Sequence, residues 1–243
     1  MATKIYIAAA GGGTGATTCA VGLGLALAAA GERTLIVDGD ARYPAALTVA
    51  GCAGLQVYTL EEARRGDCRP KQAIVEHPRS PNLFILPCAG CAEKKYVSAA
   101  TAEVENFFDY VLCDRAAKDV CDRAAAVCEP YPLSIKGADI CLNRLRDERF
   151  DDAGLIVNKV NGGLMYDGKI MTPRDIAALL RAPLWGVIPE DLGMPLGSMR
   201  ADSVKAFRMA AAKMAGGPDR IFSPAKSYAG AGGYIKRKMR SRI

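Results

Sequence analysis

Near the start of the chain, residues 5–18 read IYIAAAGGGTGATT, an apolar run followed by a glycine-rich turn and the beginning of an alanine-rich helix. Glycines allow backbone amides to curl around a phosphate group, and the first turn of a helix favours negative charge there. Thr17 stands where a hydroxyl can bind Mg²⁺ in a phosphate-binding loop, but Ala16 takes the place of the lysine that normally precedes it. The stretch therefore predicts either a phosphate site or a turn that only packs a strand against a helix.

Further along the chain, short apolar runs alternate with helical patterns, which is typical of a parallel sheet wrapped by helices. Most of these runs are apolar at every position, as strands buried on both faces should be. The predicted strands are Ile5–Ala9, Thr34–Asp38, Asn82–Pro87, Tyr110–Asp114, Ala124–Glu129, Gly154–Asn158 and Leu184–Pro189. The predicted helices are Thr17–Ala30, Leu60–Arg65, Ala99–Phe107, Gly137–Arg146, Thr172–Leu180 and Ser203–Ala215. The pattern predicts an α/β fold with a mostly parallel, Rossmann-like sheet flanked by helices on both faces.

The composition excludes a disordered or fibrous protein, since 50% of the 243 residues are apolar and 24% are charged. The net charge of +6 is concentrated near residue 243, because residues 234–243 (YIKRKMRSRI) hold five cations and no acid. Glycine and proline at residues 216–218 and the small residues at 229–233 break the helical pattern before this segment. We therefore predict a single domain over residues 1–215, a flexible linker over 216–233 and a basic amphipathic tail over 234–243.

The basic tail has the spacing of an amphipathic helix, with Ile235, Met239 and Ile243 on one stripe. The cations around that stripe are Lys236, Arg237, Lys238, Arg240 and Arg242. Each cation near an anionic lipid surface contributes about 1 kcal/mol, so the tail is predicted to bind a membrane. A disordered tail that only aids solubility is the alternative, and contact with nucleic-acid phosphates is a third, unlikely one.

The cysteines and apolar runs are typical of a cytoplasmic protein. The longest apolar run, Cys19–Gly31, has 13 residues, fewer than the roughly 18 that a membrane span requires. No signal-peptide pattern precedes it, and the nine cysteines are predicted to be reduced thiols. Cys88 and Cys91 have the spacing of metal ligands, but without a second pair nearby the pattern favours an ordinary loop. His77, the single histidine, is expected in a surface loop, and Trp185 in the core or rim of the last strand.

Several blocks that follow the glycine loop in order resemble the MinD/ParA family of division-site and partition ATPases, above all its MinD branch. They are residues 34–40 (TLIVDGD), 57–73 (VYTLEEARRGDCRPKQA), 81–87 (PNLFILP), 108–114 (FDYVLCD) and 186–191 (GVIPED). The resemblance implies a P-loop NTPase-type fold and a dimer that binds ATP or ADP with Mg²⁺. It further implies a cytoplasmic protein, peripheral at the inner face of the membrane, that meets a second copy or a MinD-like partner and division-site regulators.

The resemblance also assigns roles to residues. It implies a phosphate loop made of Gly11, Gly12, Gly13, Thr14, Gly15, Ala16, Thr17 and Thr18. Thr17 and Asp114 would hold Mg²⁺, and Asp40 would position the attacking water if the protein is active. The residues implied around the adenine are Asn158, Pro189, Glu190 and Asp191.

The departures from the family pattern predict weak or lost ATP hydrolysis. Gly11 and Ala16 replace two lysines of the loop, and phosphoryl transfer depends mostly on charge stabilisation. Only seven residues separate Asp114 from Asp122, so most of the second switch and its helix are missing. Arg115, Lys118 and Lys94 are the candidates for a replacement cation, although the sequence places none of them at the loop.

The predicted function is therefore nucleotide- or membrane-dependent association rather than hydrolysis. The first alternative is a working ATPase with unusual replacements. The second is a metal or redox accessory protein on the same fold, which would use Cys88, Cys91 and Cys121.

Overall fold

An eight-stranded sheet organises the computed structural model, which describes residues 2–40, 42, 45–91, 93–151, 153–194, 197–229 and 233. The strand order among these residues is β3-β4-β2-β5-β1-β6-β7-β8, and every neighbouring pair is parallel except β3 and β4. The strands are β1 (Thr3–Ala9), β2 (Thr34–Asp38), β3 (Val75–Glu76), β4 (Leu83–Pro87), β5 (Tyr110–Asp114), β6 (Arg123–Cys128), β7 (Gly154–Val160) and β8 (Leu184–Pro189). All seven predicted strands are present, each within two residues of its expected bounds.

Helices cover both faces of this sheet. They are α1 (Ala16–Ala29), α2 (Ala45–Val49), α3 (Leu60–Arg65), α4 (Lys94–Val104), α5 (Pro132–Asp147), α6 (Gly162–Tyr166), α7 (Pro173–Leu179) and α8 (Ala201–Met214). The buried side chains form two cores, one under α1, α2 and α8 and the other under α3, α4, α5 and α7. The predicted fold class, an α/β sheet flanked on both faces, is confirmed.

Some helix bounds differ from the prediction for simple reasons. The helix predicted over Ala99–Phe107 is α4, which begins five residues earlier, at Lys94. Its first turn opens with two lysines, and the prediction missed that turn although Val97 within it is buried. The helix predicted from Gly137 is α5, which begins at Pro132, with proline in the first turn where its missing N–H costs nothing. The short elements α2, α6 and β3 escaped prediction, since two to five residues are too few to show a period.

The connection from β5 to β6 contains only the 3₁₀ turn Lys118–Val120. Both strands pair with β1, where Asp114 lies opposite Ile7 and Arg123 lies opposite Ile5. Between the end of β5 and the start of β6, the chain therefore crosses over β1 and moves back along it by two residues, roughly 7 Å. A connection over this distance needs no helix. Beside this connection the face of the sheet is open to a cavity of about 580 Å³, lined in part by Tyr6, Ala8 and Arg115.

Two aromatic residues show how the ends of the sheet pack. His77 is only 6% exposed, because the turn between β3 and β4 folds it inward and its Nδ1 accepts the backbone N–H of Arg79 at 3.1 Å. The predicted surface position of His77 is therefore wrong. Trp185 is buried as predicted, and the guanidinium carbon of Arg123 lies 4.4 Å from the centre of its ring.

The segment predicted as a linker includes the 3₁₀ turn Pro224–Tyr228, which packs against α6. A Cβ on Gly162 would lie 2.4 Å from the carbonyl oxygen of Pro224, so the two backbones are in close contact. The predicted membrane-binding residues 235–243 lie outside the described residues. None of the helices in the described part of the chain is long and apolar enough to cross a lipid bilayer.

Replacing Gly22 with alanine tests the packing of α1 on α8. A Cβ at Gly22 would lie 2.4–2.6 Å from ring carbons of the buried Phe207. We expect Gly22→Ala to lower the free energy of unfolding by about 1–3 kcal/mol, although alanine favours a helix interior. Urea denaturation measures the change. Gly54→Ala, where no atom lies within 4 Å, is the control, and an equal effect of both substitutions would contradict the assigned contact.

Candidate functional site

The glycine-rich loop after β1 is exposed and held at both ends. The backbone N–H of Ala10 donates to the carbonyl of Val127 on β6 at 3.0 Å. Gly13 and Gly15 have φ angles of 78° and 84°, which favour glycine. The helix α1 starts at Ala16, and because its cap residue is Gly15, no side chain of that residue caps the first N–H groups of the helix. The loop therefore exposes the backbone of Gly11, Gly12 and Gly13 beside a helix N-terminus, with Thr17 and Thr18 in the first helical turn.

Two neighbouring elements press against this loop. The buried Asn158 of β7 donates from Nδ2 to the carbonyl of Thr14 at 2.9 Å, and a Cβ on Gly15 would lie 2.4 Å from the same Nδ2. On α5, a Cβ on Gly137 would lie 2.3 Å from the carbonyl oxygen of Ala10. The loop shape thus depends on two glycines that permit close backbone approach. Among the described residues, the Oδ1 of Asn158 is a buried acceptor with no hydrogen-bond partner.

Lys159 is a cation at the loop that the sequence analysis did not identify. Its Nζ donates to the carbonyl of Gly13 at 2.5 Å and to Glu129 Oε1 at 2.6 Å. The lysine has a φ angle of 53°, at an irregularity near the end of β7. The carboxyl ends of parallel strands meet at one edge of a sheet. Because Lys159 directly follows Asn158 near the end of β7, the sequence could have indicated that this lysine lies near the loop. The predicted candidates Lys94 and Lys118 line cavities beside Arg115, but Lys118 pairs with Glu148 at 2.6 Å and not with the loop.

The third predicted candidate, Arg115, does reach the site. Thr17 Oγ1 donates to Asp114 Oδ2 at 2.5 Å, and Arg115 Nη2 donates to the same Thr17 oxygen at 3.2 Å. The Nε of Arg115 donates to the other carboxylate oxygen of Asp114 at 3.2 Å. Burial raises the pKa of Asp114 above its usual range, and the hydrogen bonds from Thr17 and Arg115 offset part of that shift. The three side chains form a closed ring of hydrogen bonds at the end of β5.

The acids after β2 complete this cluster. The fully buried Asp38 accepts the backbone N–H groups of Asp40 at 3.1 Å and Ala46 at 2.7 Å, and burial raises its pKa to about 6. Burial also acts on Asp40, but the backbone N–H and the charge of Arg42 outweigh it and lower the pKa of Asp40. The N–H of Gly39 donates to the carbonyl of Asp114 at 2.9 Å, which ties the ends of β2 and β5 together. The three acids and the glycine loop therefore share one edge of the sheet.

Comparison with known proteins identifies the family. Residues 5–203 match the family described as the CobQ/CobB/MinD/ParA nucleotide binding domain. The chain belongs to the MinD/ParA family.

Two relatives illustrate the similarity in sequence. A putative septum site-determining protein MinD of Guillardia theta is 30% identical over 205 residues, which are 79% of this chain and 76% of that protein. The septum site-determining protein MinD of Thermotoga maritima is 29% identical over 206 residues, which are 78% and 76% of the two chains.

Two solved structures share the fold. The MinC:MinD cell division protein complex of Aquifex aeolicus matches with a TM-score of 0.82 at 24% identity, over 90% of this chain and 98% of that one. The septum site-determining protein MinD of Pyrococcus horikoshii, complexed with Mg-ADP, matches with a TM-score of 0.74 at 24% identity, over 88% and 96% of the two chains. The predicted P-loop NTPase-type fold is confirmed.

The MinD/ParA family binds nucleotide with Mg²⁺, but the predicted magnesium ligands here are not arranged for it. Mg²⁺ requires near-octahedral oxygen ligands at 2.0–2.1 Å. The hydroxyl of Thr17 and a carboxylate oxygen of Asp114 instead accept hydrogen bonds from the guanidinium of Arg115. In this arrangement Thr17 and Asp114 bind the guanidinium group of Arg115, and they do not fit Mg²⁺.

The residues predicted around the adenine are divided between two places in this MinD/ParA fold. Asn158 lies under the glycine loop, whereas Pro189 and Glu190 line a separate cavity of about 370 Å³. Asp191 accepts hydrogen bonds from Ser203 Oγ at 2.6 Å and from the backbone of Arg200 at 2.8 Å, where α8 begins. Burial alone would raise the pKa of Asp191, but these hydrogen bonds lower it. Its carboxylate is therefore engaged in holding the start of α8.

The cysteines considered for a metal centre are buried, and Cys88 lies beside the acid edge, where its backbone N–H donates to the carbonyl of Asp38 at 3.0 Å. Cys88, Cys91 and Cys121 each belong to the core under α3 and α4, and burial raises the pKa of the Cys88 thiol. Across the described ranges, no three His, Cys, Asp or Glu side chains are grouped so that they could hold a metal ion. The structure adds no observation in favour of the metal alternative.

The raised pKa of Asp38 predicts a pH dependence of stability. Because the folded-state pKa, about 6, exceeds the ordinary value of 3.8, the folded protein binds this proton more tightly. The contribution of Asp38 to stability is therefore complete below about pH 4 and is lost as the pH rises to about 6. We expect the free energy of unfolding of the wild type, relative to Asp38→Asn, to fall by on the order of 2 kcal/mol across this range. Urea denaturation from pH 4 to 7 measures it, and a constant difference would contradict the assignment.

Proposed function

We propose that this chain is a MinD-like division-site protein that acts by association with a partner and a membrane, with weak or lost ATP hydrolysis. The observation that carries the proposal is the chemistry of the glycine loop. The loop keeps the backbone shape of a phosphate site, yet Gly11 and Ala16 supply no charge where the family pattern has lysines. A polyphosphate in such a loop gains backbone hydrogen bonds but little charge stabilisation.

The cations that do reach the loop are already paired with carboxylates. Lys159 lies 2.6 Å from Glu129, and Arg115 lies 3.2 Å from Asp114. ATP or ADP would therefore have to compete with two built-in ion pairs, and the neighbouring Asp38 and Asp40 add repulsion. This balance supports weak binding of nucleotide and slow transfer of its terminal phosphate.

The loop retains features that suit a nucleotide. The backbone of Gly11, Gly12 and Gly13 is exposed beside the N-terminus of α1, which favours a negatively charged group there. A side chain at Gly11 would meet no atom within 4 Å, so the loop is open to solvent or to a partner. These features support a binding surface that has lost catalytic charge, where a second copy or a MinD-like partner would dock together with division-site regulators.

The membrane part of the proposal depends on the basic tail, residues 234–243. The five cations of the tail would bind anionic headgroups, and its stripe of three apolar side chains would enter the lipid interface. The tail would be joined through the linker 216–233 to the domain formed by residues 1–215. In this proposal the protein is cytoplasmic and peripheral at the inner face of the cell membrane.

The first experiment compares ATP hydrolysis by the wild type and Ala16→Lys. We expect the wild type to release no phosphate from Mg-ATP above background. Ala16→Lys alone is expected to stay inactive, because Gly11 remains and the β5–β6 connection is still short. A colorimetric phosphate assay measures both proteins.

The cell division ATPase MinD of Pyrococcus furiosus, a relative with the same fold, provides the positive control in that assay. A wild-type rate equal to that of the relative would overturn the proposal in favour of a working ATPase. Robust activity of Ala16→Lys would show that the shortened connection does not limit hydrolysis.

The second experiment is sedimentation with lipid vesicles. We expect the full chain to bind vesicles containing anionic lipid, and deletion of residues 234–243 to remove at least nine-tenths of that binding. The reason is the loss of about 1 kcal/mol per cation. Neutral vesicles and high salt are the controls. Equal binding to neutral vesicles, or binding unchanged by the deletion, would contradict the role of the tail.

A further inference from the structure

Arg115 lies where three oxygen-bearing side chains of the loop edge converge. Its Nη2 is 3.2 Å from Thr17 Oγ1 and 4.0 Å from Asp40 Oδ2, and its Nε is 3.2 Å from Asp114 Oδ1. These three residues are the ones to which the family resemblance assigns the magnesium ion and the attacking water. One guanidinium thus contacts the oxygens that a divalent cation would need.

We propose that Arg115 is the resident counter-ion of this carboxylate cluster and takes the place of the divalent cation. The cluster is then assembled in the protein alone, without metal and without nucleotide. The inference rests on the proposed function in one respect, since both take the glycine loop and Asp114 as the place where the family's nucleotide and metal bind.

The backbone of Arg115 is held in place on two sides. Its N–H donates to the carbonyl of Ile7 on β1 at 3.2 Å. A Cβ on Gly39 would lie 2.8 Å from the carbonyl carbon of Arg115, so the chain after β2 packs directly on it. Arg115 also has a φ angle of 56°, a left-handed conformation that is uncommon for a side chain of this size. Such a conformation persists only where its surroundings determine it, and here it directs the side chain to the cluster.

The chemistry of the guanidinium suits this role. It is planar, remains charged at every pH where the protein folds, and presents several N–H donors in a fixed fork. Asp114 is fully buried and needs a partner, because an unpaired buried carboxylate is strongly destabilising. An arginine supplies that partner permanently, whereas a metal ion would supply it only when bound. The state of the cluster is therefore not switched by the supply of Mg²⁺.

The test measures Mn²⁺ binding to the full chain without nucleotide, by electron paramagnetic resonance and by thermal melting. The variant is Arg115→Ala. Arg149→Ala is the matched control, because Arg149 also has a positive φ angle, 96°, and its guanidinium donates to the backbone carbonyls of Asp119 and Cys121 and lies over the ring of Phe150, with no carboxylate partner among the described residues. Both substitutions remove one positive charge and one pair of hydrogen bonds, but only the first opens the carboxylate cluster.

We expect the wild type and Arg149→Ala to bind no Mn²⁺ at the cluster and to melt at a temperature that neither Mn²⁺ nor EDTA changes. Arg115→Ala is expected to melt at a lower temperature, to recover with Mn²⁺, and to bind one Mn²⁺ at least tenfold more tightly than the wild type. If Arg115→Ala does not fold, Arg115→Gly replaces it, since glycine tolerates the left-handed backbone.

Two results would overturn the inference. One is a wild-type protein that binds Mn²⁺ as tightly as Arg115→Ala, and the other is a folded Arg115 variant that gains no Mn²⁺ site. Neither result involves ATP hydrolysis or vesicles. A failure of the counter-ion role is thus distinguishable from a failure of the proposed function.

Discussion

Two carboxylates, Asp38 and Asp114, lie opposite each other on neighbouring strands and are both fully buried. Like charges in that arrangement repel each other and lose their hydration, so the ends of β2 and β5 are stable only with compensating donors. Asp38 has two backbone N–H groups, and Asp114 has Thr17 and Arg115. The turn at Gly39, the first turn of α1 and the left-handed Arg115 all contribute contacts to these two strand ends.

The same constraint accounts for the charge balance of the whole edge. Among the described residues, the two positive side chains that contact the loop or the first turn of α1 are each paired with a carboxylate. Lys159 pairs with Glu129, and Arg115 pairs with Asp114. A site built for a polyphosphate has an excess of positive charge before the ligand arrives. Here the excess is absent from the loop, and most of the net positive charge of the chain lies at 234–243 instead. The chain shares the fold of its family, and it departs from the family pattern in the charge of the glycine loop.

Much of the fold could be predicted from the sequence, because buried parallel strands are apolar at every position and glycines mark the loop. The strands β2, β5 and β8 were predicted to the residue, since each is a short, mostly apolar run flanked by charged residues, glycine or proline. The acids Asp40 and Asp114 were singled out through the family resemblance, whereas Asp38 was expected only as the last residue of a strand. The partners of these acids could not be predicted. Arg115 meets Thr17 across 98 positions, and Lys159 meets Gly13 across 146, so their contacts depend on backbone angles that no local pattern records. His77 was misplaced for a similar reason, since a turn of polar residues gave no sign that it folds inward.

The brief connection between β5 and β6 also has a meaning for how the chain folds. These two strands flank β1 and are linked by residues 115–122 alone, so closing that link costs little chain entropy. In the sheet β1 lies between β5 and β6, and it forms backbone hydrogen bonds with both strands. Although β1 is made first, it cannot gain its full set of ladder hydrogen bonds until Cys128 has been synthesised. The strand β1 is thus secured only after about half of the chain has been made, although β6, β7 and β8 complete their pairing later still, and its apolar residues need protection until then.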